Sequence, residues 1–526
     1  MKFRLTFLLL MLSMMAVAQR DPNKAENKFM RTLTLMRMHY VDTVDEAKMT
    51  EIAIRKMLEE LDPHSVYMSA KEIKEANEPL EGNFEGVGIQ FQIIRDTINV
   101  VDVIAGGPSE MVGVRAGDKI VKIDTTRAYG KDIGNDFVLK HLRGSKGTAV
   151  NISVVRPGEK QLLDFRIIRD KIPIYSIDAA YMVTPSIGYI KLNRFSATTM
   201  DEFKSAMQKF KDARFKSLIL DLRDNSGGYL QTSFDLADQF LSKDKLVVYT
   251  EGKSDPRKDY TATGKGAFEK GKLVVLIDEG SASASEIVSG ALQDWDRALI
   301  IGRRSFGKGL VQRPFNLTDG SVIRLTVARY YTPSGRCIQK PYNDGHESYY
   351  KDLSNRMEHG ELVHPDSIKF PDSLRYKTSE GRIVYGGGGV MPDIFIPLDT
   401  TKYSDYYVAL VRKNLYSTFV LDYLNVHRNE MMAQYPTVED FKSKYALTDE
   451  FMKEFFAVAE KQVPFDQAGY DQSKIIIHTI LRAFMARSLY GPESYYYIIG
   501  EIDEELNKAI ECLQSNGILE KYKIRY

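Results

Sequence analysis

Residues 22 to about 80 carry apolar positions at helix-like spacings, first Phe29, Leu33 and Met36, then Ile52, Met57, Leu58 and Leu61. They predict an N-terminal helical region, interrupted at Asp62-Pro63-His64. From Gly86 the period changes to two: Val87, Ile89, Phe91 and Ile93 alternate, Ile98 to Ile104 is rich in β-branched residues, and Ala149 to Val155 predicts a further strand. Residues 84–170 therefore read as a small β-rich module. From 172 to 397 predicted strands and helices alternate, the pattern of an α/β domain. Ile187 to Leu192, Ser217 to Leu222 and Leu273 to Ile277 read as buried strands. Residues 339 to 389 are polar, rich in Tyr, Pro and Gly, and end in Gly386 to Gly389, which predicts a long surface excursion. After Pro397 helical spacing returns at Phe451, Phe455, Phe456 and Val458, and again at Ile475, Ile476, Thr479, Ile480 and Phe484. A helical domain is expected over 398–526.

A chain of 526 residues exceeds what one hydrophobic core supports, so a multidomain α/β protein is expected. With 43% apolar residues, 27% charged residues and a net charge of +1, the composition is ordinarily globular, and no basic excess points to nucleic acid. The two cysteines, Cys337 and Cys512, exclude a disulfide framework and a thiolate-rich metal site, leaving at most one bridge. Met1 to Arg4, the apolar run from Leu5 to Val17 and the small residues ending at Ala18 have the layout of a secretory signal over 1–18. The run is shorter than the roughly 20 residues of a spanning helix, and no cysteine follows it to carry a lipid. Export to the periplasm or cell envelope is expected, with no stable membrane insertion after cleavage.

Two segments of the β-rich module carry information: Phe84-Glu85-Gly86-Val87-Gly88-Ile89 before a strand, and Gly107-Pro108-Ser109 leading through Gly113-Val114-Arg115-Ala116-Gly117-Asp118 to Ile120. Together they resemble PDZ domains. Such a groove takes a peptide as an added strand, while backbone N–H groups of a glycine-containing loop receive its terminal carboxylate. Gly86, Val87, Gly88 and Ile89 are where that capture is placed.

The predicted strand Leu273 to Ile277 runs into Asp278-Glu279-Gly280-Ser281-Ala282-Ser283-Ala284-Ser285-Glu286, and Ile287, Val288, Ala291 and Leu292 then mark one face of a helix. A serine at such a turn is accessible, and the helix N-terminus offers unpaired N–H groups to a developing oxyanion. Ser283 and Glu286 also fit capping-box spacing, in which the serine only satisfies helix N–H groups. The balance shifts with Gly302-Arg303-Arg304-Ser305-Phe306-Gly307-Lys308-Gly309. A serine hydroxyl needs a base, no motif recommends any of the eight histidines, and a lysine serves if burial lowers its pKa. Gly302, Gly307 and Lys308 also match the spacing of a phosphate-binding P-loop. Gly309 replaces the Ser or Thr that would hold Mg²⁺, however, and Leu310 to Leu317 reads as extended, not helical.

Gly280 to Glu286, Phe306 to Gly309 with Gln312, and Asp221-Leu222-Arg223-Asp224-Asn225-Ser226-Gly227-Gly228 resemble the C-terminal processing peptidases, or tail-specific proteases. Asp62-Pro63-His64-Ser65 and Tyr330-Tyr331-Thr332-Pro333-Ser334-Gly335 are similar too, so the resemblance spans roughly 30 to 397. It implies a crotonase-like α/β core with an inserted or preceding PDZ-like module, and a serine endopeptidase without metal or other cofactor. Residue by residue, it implies Ser283 as nucleophile, Lys308 as general base and Gln312 as the group orienting the lysine. Gly227 or Gly228, with Ala284, would supply the oxyanion hole. Asp294 matches a position important in some members, and is otherwise a surface carboxylate after a helix. Arg223 would either link the PDZ module to the site or pair with Asp224. The expected partners are proteins with accessible C-terminal tails, with room for an adaptor protein and a homo-oligomer. A non-catalytic PDZ scaffold and an acyl-CoA enzyme on the same core are the readings from other classes.

Overall fold

The computed structural model describes residues 24–211 and 214–526; the expected signal segment, 1–18, lies outside them. The chain begins with helices α1 (Lys24–His39) and α2 (Glu46–Glu59). α1 buries none of its residues, and Ile52, Met57 and Leu61 are exposed although their spacing is helical. The break at Asp62-Pro63 leads into a short strand, β1 (Val66–Met68), before α3 (Ala70–Glu81).

The β-rich module enters on β2 (Asn83–Gly86). It continues through β3 (Ile89–Ile94), β4 (Thr97–Val103), β5 (Lys119–Ile123), α4 (Asn135–Leu142), β6 (Ala149–Val155) and β7 (Leu163–Ile168), and leaves on β8 (Asp170–Pro173). β2 and β8 pair antiparallel, Asn83 opposite Pro173 and Gly86 opposite Asp170, so entry and exit share one ladder. Between them the sheet runs β3-β4-β5-β6-β7 around Ile98, Val100, Ile120 and Ile152.

The α/β core follows with β9 (Ile177–Thr184), β10 (Ile187–Leu192), α5 (Thr199–Phe210), β11 (Ser217–Asp221) and α6 (Leu230–Asp238). Then come β12 (Lys272–Ile277), α7 (Ala284–Asp294), β13 (Leu299–Gly302), β14 (Leu310–Asn316), β15 (Val322–Tyr331) and β16 (Ile394–Phe395). Its main sheet has the order β9-β10-β11-β12-β13-β16, parallel except for the β9/β10 pair. A second sheet contains β15 flanked by β14 and, from before the PDZ module, β1. Because β1 belongs to the core, the PDZ module is an insertion into it.

The central strands of the main sheet are largely apolar because both faces are covered, as parallel sheets require. Leu218, Leu220 and Val275 face Phe203, Leu236, Ile287 and Val288 of α5, α6 and α7. Ile219, Val274 and Leu276 face the other way, onto Leu506, Ala509 and Leu513. Those three belong to the C-terminal part, which holds eight helices between Asp405 and Lys521. Among them are α8 (Leu415–Gln434), α9 (Gln467–Tyr490) and α10 (Glu504–Gln514). Phe441, Phe451 and Phe455 center a separate helical core there, but α10 completes the core sheet. Cys337 and Cys512 are both free thiols.

The stretch expected as a surface excursion, 339 to 389, is mostly exposed, but it is anchored to the core at particular residues. Gln339, Lys340, Tyr349 and Arg356 are buried, and Ser305 N–H and Oγ bond the backbone of Val390 at 3.1 and 2.7 Å. Positive φ at Gly387 and Gly389 lets this backbone lie against Ser305 to Lys308, where a Cβ on Gly389 would come within 2.7 Å of the Ser305 carbonyl.

Candidate active site

Ser283 sits where β12 turns into α7, with φ 55° and ψ −108°. A non-glycine residue there is strained by about 1–3 kcal/mol and persists only where its surroundings over-determine it. The surroundings are explicit. Ala282 N–H donates to the Asn225 carbonyl (3.0 Å), Ser285 Oγ donates to the same oxygen (2.7 Å), and Ser283 N–H donates to Glu286 Oε2 (2.8 Å). The Glu286 half of a capping box is thus present, while the Glu286 N–H goes to the Ser283 carbonyl at 2.9 Å.

Glu286 is fully buried and does more than cap. Its Oε2 also accepts the Lys308 N–H at 2.9 Å, and its Oε1 accepts the Gly307 N–H at 2.7 Å and the Ser305 hydroxyl at 2.5 Å. Tyr330 makes a second bridge, its hydroxyl lying 3.0 Å from the Ser283 carbonyl and 2.6 Å from the Lys308 carbonyl. One carboxylate and one phenol therefore each hold the backbones of both residues. Burial pushes the Glu286 carboxyl up to about 7, against the four donors that favor its ionized form. Burial, and after it the charge of Arg324, pushes the Lys308 ammonium down, with Glu286 and Asp62 acting the other way. No carboxylate lies within ion-pair distance of its Nζ among the described residues. The glycines beside Lys308 admit backbone: a Cβ on Gly309 would come within 2.9 Å of the Gln339 nitrogen.

The loop after β11 closes over the serine. A Cβ on Gly227 would meet Ser283 Cβ at 2.9 Å and Ala284 N at 3.0 Å, and one on Gly228 would meet the Phe195 carbonyl at 2.0 Å. Both have positive φ, 104° and 150°. The two glycines differ in one respect: the Gly227 N–H is spent on Asn225 Oδ1 at 2.9 Å, whereas the N–H groups of Gly228 and Ala284 have no acceptor among the described residues. Asp278 ties this loop to the serine loop, accepting N–H groups of Asp224 (2.9 Å), Gly280 (3.0 Å) and Ser281 (3.1 Å) on Oδ1.

Gln312 follows Lys308 on strand β14, where the ladder is irregular between Val311 and Gln312. Its Nε2 donates to Thr326 Oγ1 at 3.2 Å, and that hydroxyl donates to buried Asp62 at 3.0 Å. Asp62 also accepts from His64 N–H, Ser65 N–H and Ser65 Oγ at 2.8, 2.9 and 2.5 Å. His64 Nε2 lies 2.9 Å from the Tyr349 hydroxyl, and burial followed by the Lys308 charge pushes its ring down to about 4. Glu286, Tyr330, Asp62, Thr326 and Tyr349 are members of this site to which the sequence assigns no role. Glu286 carries a local signal in its spacing from Ser283, and Asp62 and Tyr330 lie in two segments that share the family resemblance.

Two readings are corrected. Asp294 is not a surface carboxylate. It is buried at the end of α7, 2.8 Å from Arg336, and it accepts the Ser334 N–H at 3.0 Å, away from Ser283. Arg223 neither reaches the PDZ module nor pairs with Asp224. It binds Asp221 at 2.6 Å, Asp503 at 2.7 Å and Glu505 at 3.0 Å, fastening the core to the C-terminal helices. In the PDZ module, the Val87 carbonyl accepts Ser109 Oγ at 2.6 Å and the Gly88 carbonyl accepts the Ile104 N–H at 3.0 Å. The N–H groups of Val87 and Gly88 have no acceptor among the described residues.

Residues 186–345 match the model of peptidase family S41, 86–167 that of the PDZ domain and 12–72 that of the activating protease CtpB N-terminal domain. Over 330 residues the chain is 36% identical to the carboxy-terminal processing protease CtpB of Bacillus subtilis, covering 62% of this chain and 68% of that protein. The chain belongs to the carboxy-terminal processing proteases, serine peptidases of family S41. This protease is also 39% identical over 308 residues to a carboxy-terminal-processing protease of Bartonella bacilliformis, covering 58% and 70% of the two chains. A solved photosystem II D1 C-terminal processing protease is 26% identical, covering 71% of this protease and 87% of that chain, with a TM-score of 0.38 that adds nothing to the sequence match. Residues 406–491 match a family of unknown function.

Proposed function

We propose that this C-terminal processing serine protease cleaves exported proteins near or from their C-terminal tails through Ser283 and Lys308, after its PDZ module has captured the tail. The observation that carries the reading is the double bridge: Glu286 and Tyr330 each bond to both residues, so the hydroxyl and the amine sit on backbone segments held against each other. Neutral Lys308 takes the proton as Ser283 Oγ attacks the scissile carbonyl, and then gives it to the leaving amine. The oxyanion is received by N–H groups at the turn, Gly228 and Ala284 being the pair whose hydrogens are unspent. Water hydrolyzes the acyl-enzyme. Gln312 orients the lysine from a strand fixed through Thr326 to Asp62.

Peptide capture is supported by β3 lying at the open edge of its sheet, beside a turn whose Val87 and Gly88 N–H groups are free to take a carboxylate. The signal-like first 18 residues support export to the periplasm or envelope, and no helix of the described residues is long and apolar enough to cross a membrane. Ser283→Ala and Lys308→Ala are each expected to lower cleavage of an unfolded substrate with an apolar tail by at least about 10³-fold while binding persists. Near wild-type turnover in Lys308→Ala would overturn the base assignment.

A further inference from the structure

The outer face of β3 is where the C-terminal helices meet the PDZ module. Among the described residues β3 pairs only with β4, so its other edge is open. Ile89, Phe91 and Ile93 pack toward the module's own core and alternate with Gln90 and Gln92, whose side chains take the opposite face. The C-terminal part supplies the partners on that face. Arg487 of α9 donates to Gln90 Oε1 at 2.7 Å, and Ser417 of α8 donates to Gln92 Oε1 at 3.3 Å. Arg428 of α8 donates to the Ser488 carbonyl at 2.7 Å, near Arg487. Neither arginine has a carboxylate within ion-pair distance among the described residues. Both act on half-buried Asp102, which stands opposite Gln90 on β4 and on which Glu110 also acts. Two guanidinium groups without an ion-pair partner among the described residues therefore stand on the face of β3 that Gln90 takes.

A peptide added to that edge with its carboxylate at the Gly86 to Ile89 turn runs antiparallel to β3. Residues opposite each other on neighboring strands share a face. The last side chain of the tail therefore lies with Ile89, toward the module's core, and the penultimate one lies with Gln90, beside Arg487. We propose that the C-terminal helical part forms the second wall of the tail-binding groove and, through Arg487 backed by Arg428, favors substrates whose penultimate residue is acidic. This rests on PDZ capture of the tail as proposed above, and it gives residues 406–491 a role in substrate choice.

The test uses the full chain carrying Ser283→Ala and fluorescent ten-residue peptides ending Ala-Glu-Ala or Ala-Gln-Ala, each also with an amidated end. The free-acid Glu peptide binds about 3- to 10-fold tighter than the Gln peptide, the size of a partly screened charge-assisted hydrogen bond. The difference shrinks in high salt, and Arg487→Glu reverses it toward a penultimate Lys. Equal affinity for the Glu and Gln peptides, both weakened by amidation, would overturn the arginine wall and leave capture standing. Affinity that is indifferent to amidation would overturn capture itself, and the wall with it.

Discussion

Two carboxylates of this protease are equally buried and oppositely tuned. Asp221, at the end of β11, is fully enclosed, yet Arg223 and Lys191 overcome the burial and hold its carboxyl below the usual range. Glu286, on the first turn of α7, has only N–H and hydroxyl donors around it and is pushed up to about 7. The first arrangement is a fastener: Arg223 continues to Asp503 and Glu505 and pins the C-terminal helices to the core. The second is a clamp on two backbone segments, with no cation that would compete with Lys308 for position. Burial alone therefore says little about a carboxylate's role; the kind of partner decides it.

The comparison breaks first at the clamp. Glu286→Ala leaves the N–H groups of Ser283, Gly307 and Lys308 without their acceptor and is expected to lower kcat/KM by about 10²-fold or more, since displacement of reacting groups by an ångström costs that much. A loss confined to KM would show that the clamp only shapes substrate binding. The pH profile comes next. In the proposed mechanism Lys308 acts as the neutral amine, so below its lowered pKa kcat/KM is expected to fall about tenfold per pH unit and to recover as pH rises. Protonation of Glu286 below about 7 removes acceptor capacity from the clamp and steepens the same acid limb. A flat profile with chemistry rate-limiting would contradict both assignments.

The fastener gives a different signature. Arg223→Ala uncovers buried Asp221 and is expected to cost about 3 kcal/mol of unfolding free energy in denaturant titration, as does breaking other buried pairs. The folded fraction should keep its kcat/KM, and a loss of turnover larger than the loss of folded protein would move Arg223 into the site. The smallest effect is expected from Tyr330→Phe, which removes one hydroxyl from two carbonyls and should lower kcat/KM by about tenfold or less.

Much of this architecture is legible in the chain because it rests on local periodicity. The alternation Val87, Ile89, Phe91 marks the PDZ strand, and the apolar run Leu273 to Ile277 and the largely apolar Ile187–Leu192 mark strands covered on both faces. The turn carrying Ser283 and the glycine-flanked segment of Lys308 stand out in the chain because both motifs are short and contiguous. What escapes is long-range. β1 has three residues, too few for a period, and its partner β15 lies beyond the whole PDZ insertion. Asp62 and Thr326 meet across 264 positions. The buried anchors of the 339 to 389 stretch escape because their polar groups are satisfied internally, as when Lys340 lies 3.9 Å over the Phe306 ring and pairs with Asp352. Arg223 reads as an active-site neighbor because its partners Asp503 and Glu505 lie 280 and 282 residues away.

The proposed mechanism depends on the surroundings of Lys308 lowering its pKa. Labeling with an amine-reactive reagent across a pH series in Ser283→Ala protein, read by mass spectrometry of the peptide containing Lys308, measures that ionization directly. The expected midpoint lies below the ordinary lysine value of 10.5 and returns toward it when the protein is unfolded. A midpoint at the ordinary value in the folded protein would contradict the mechanism.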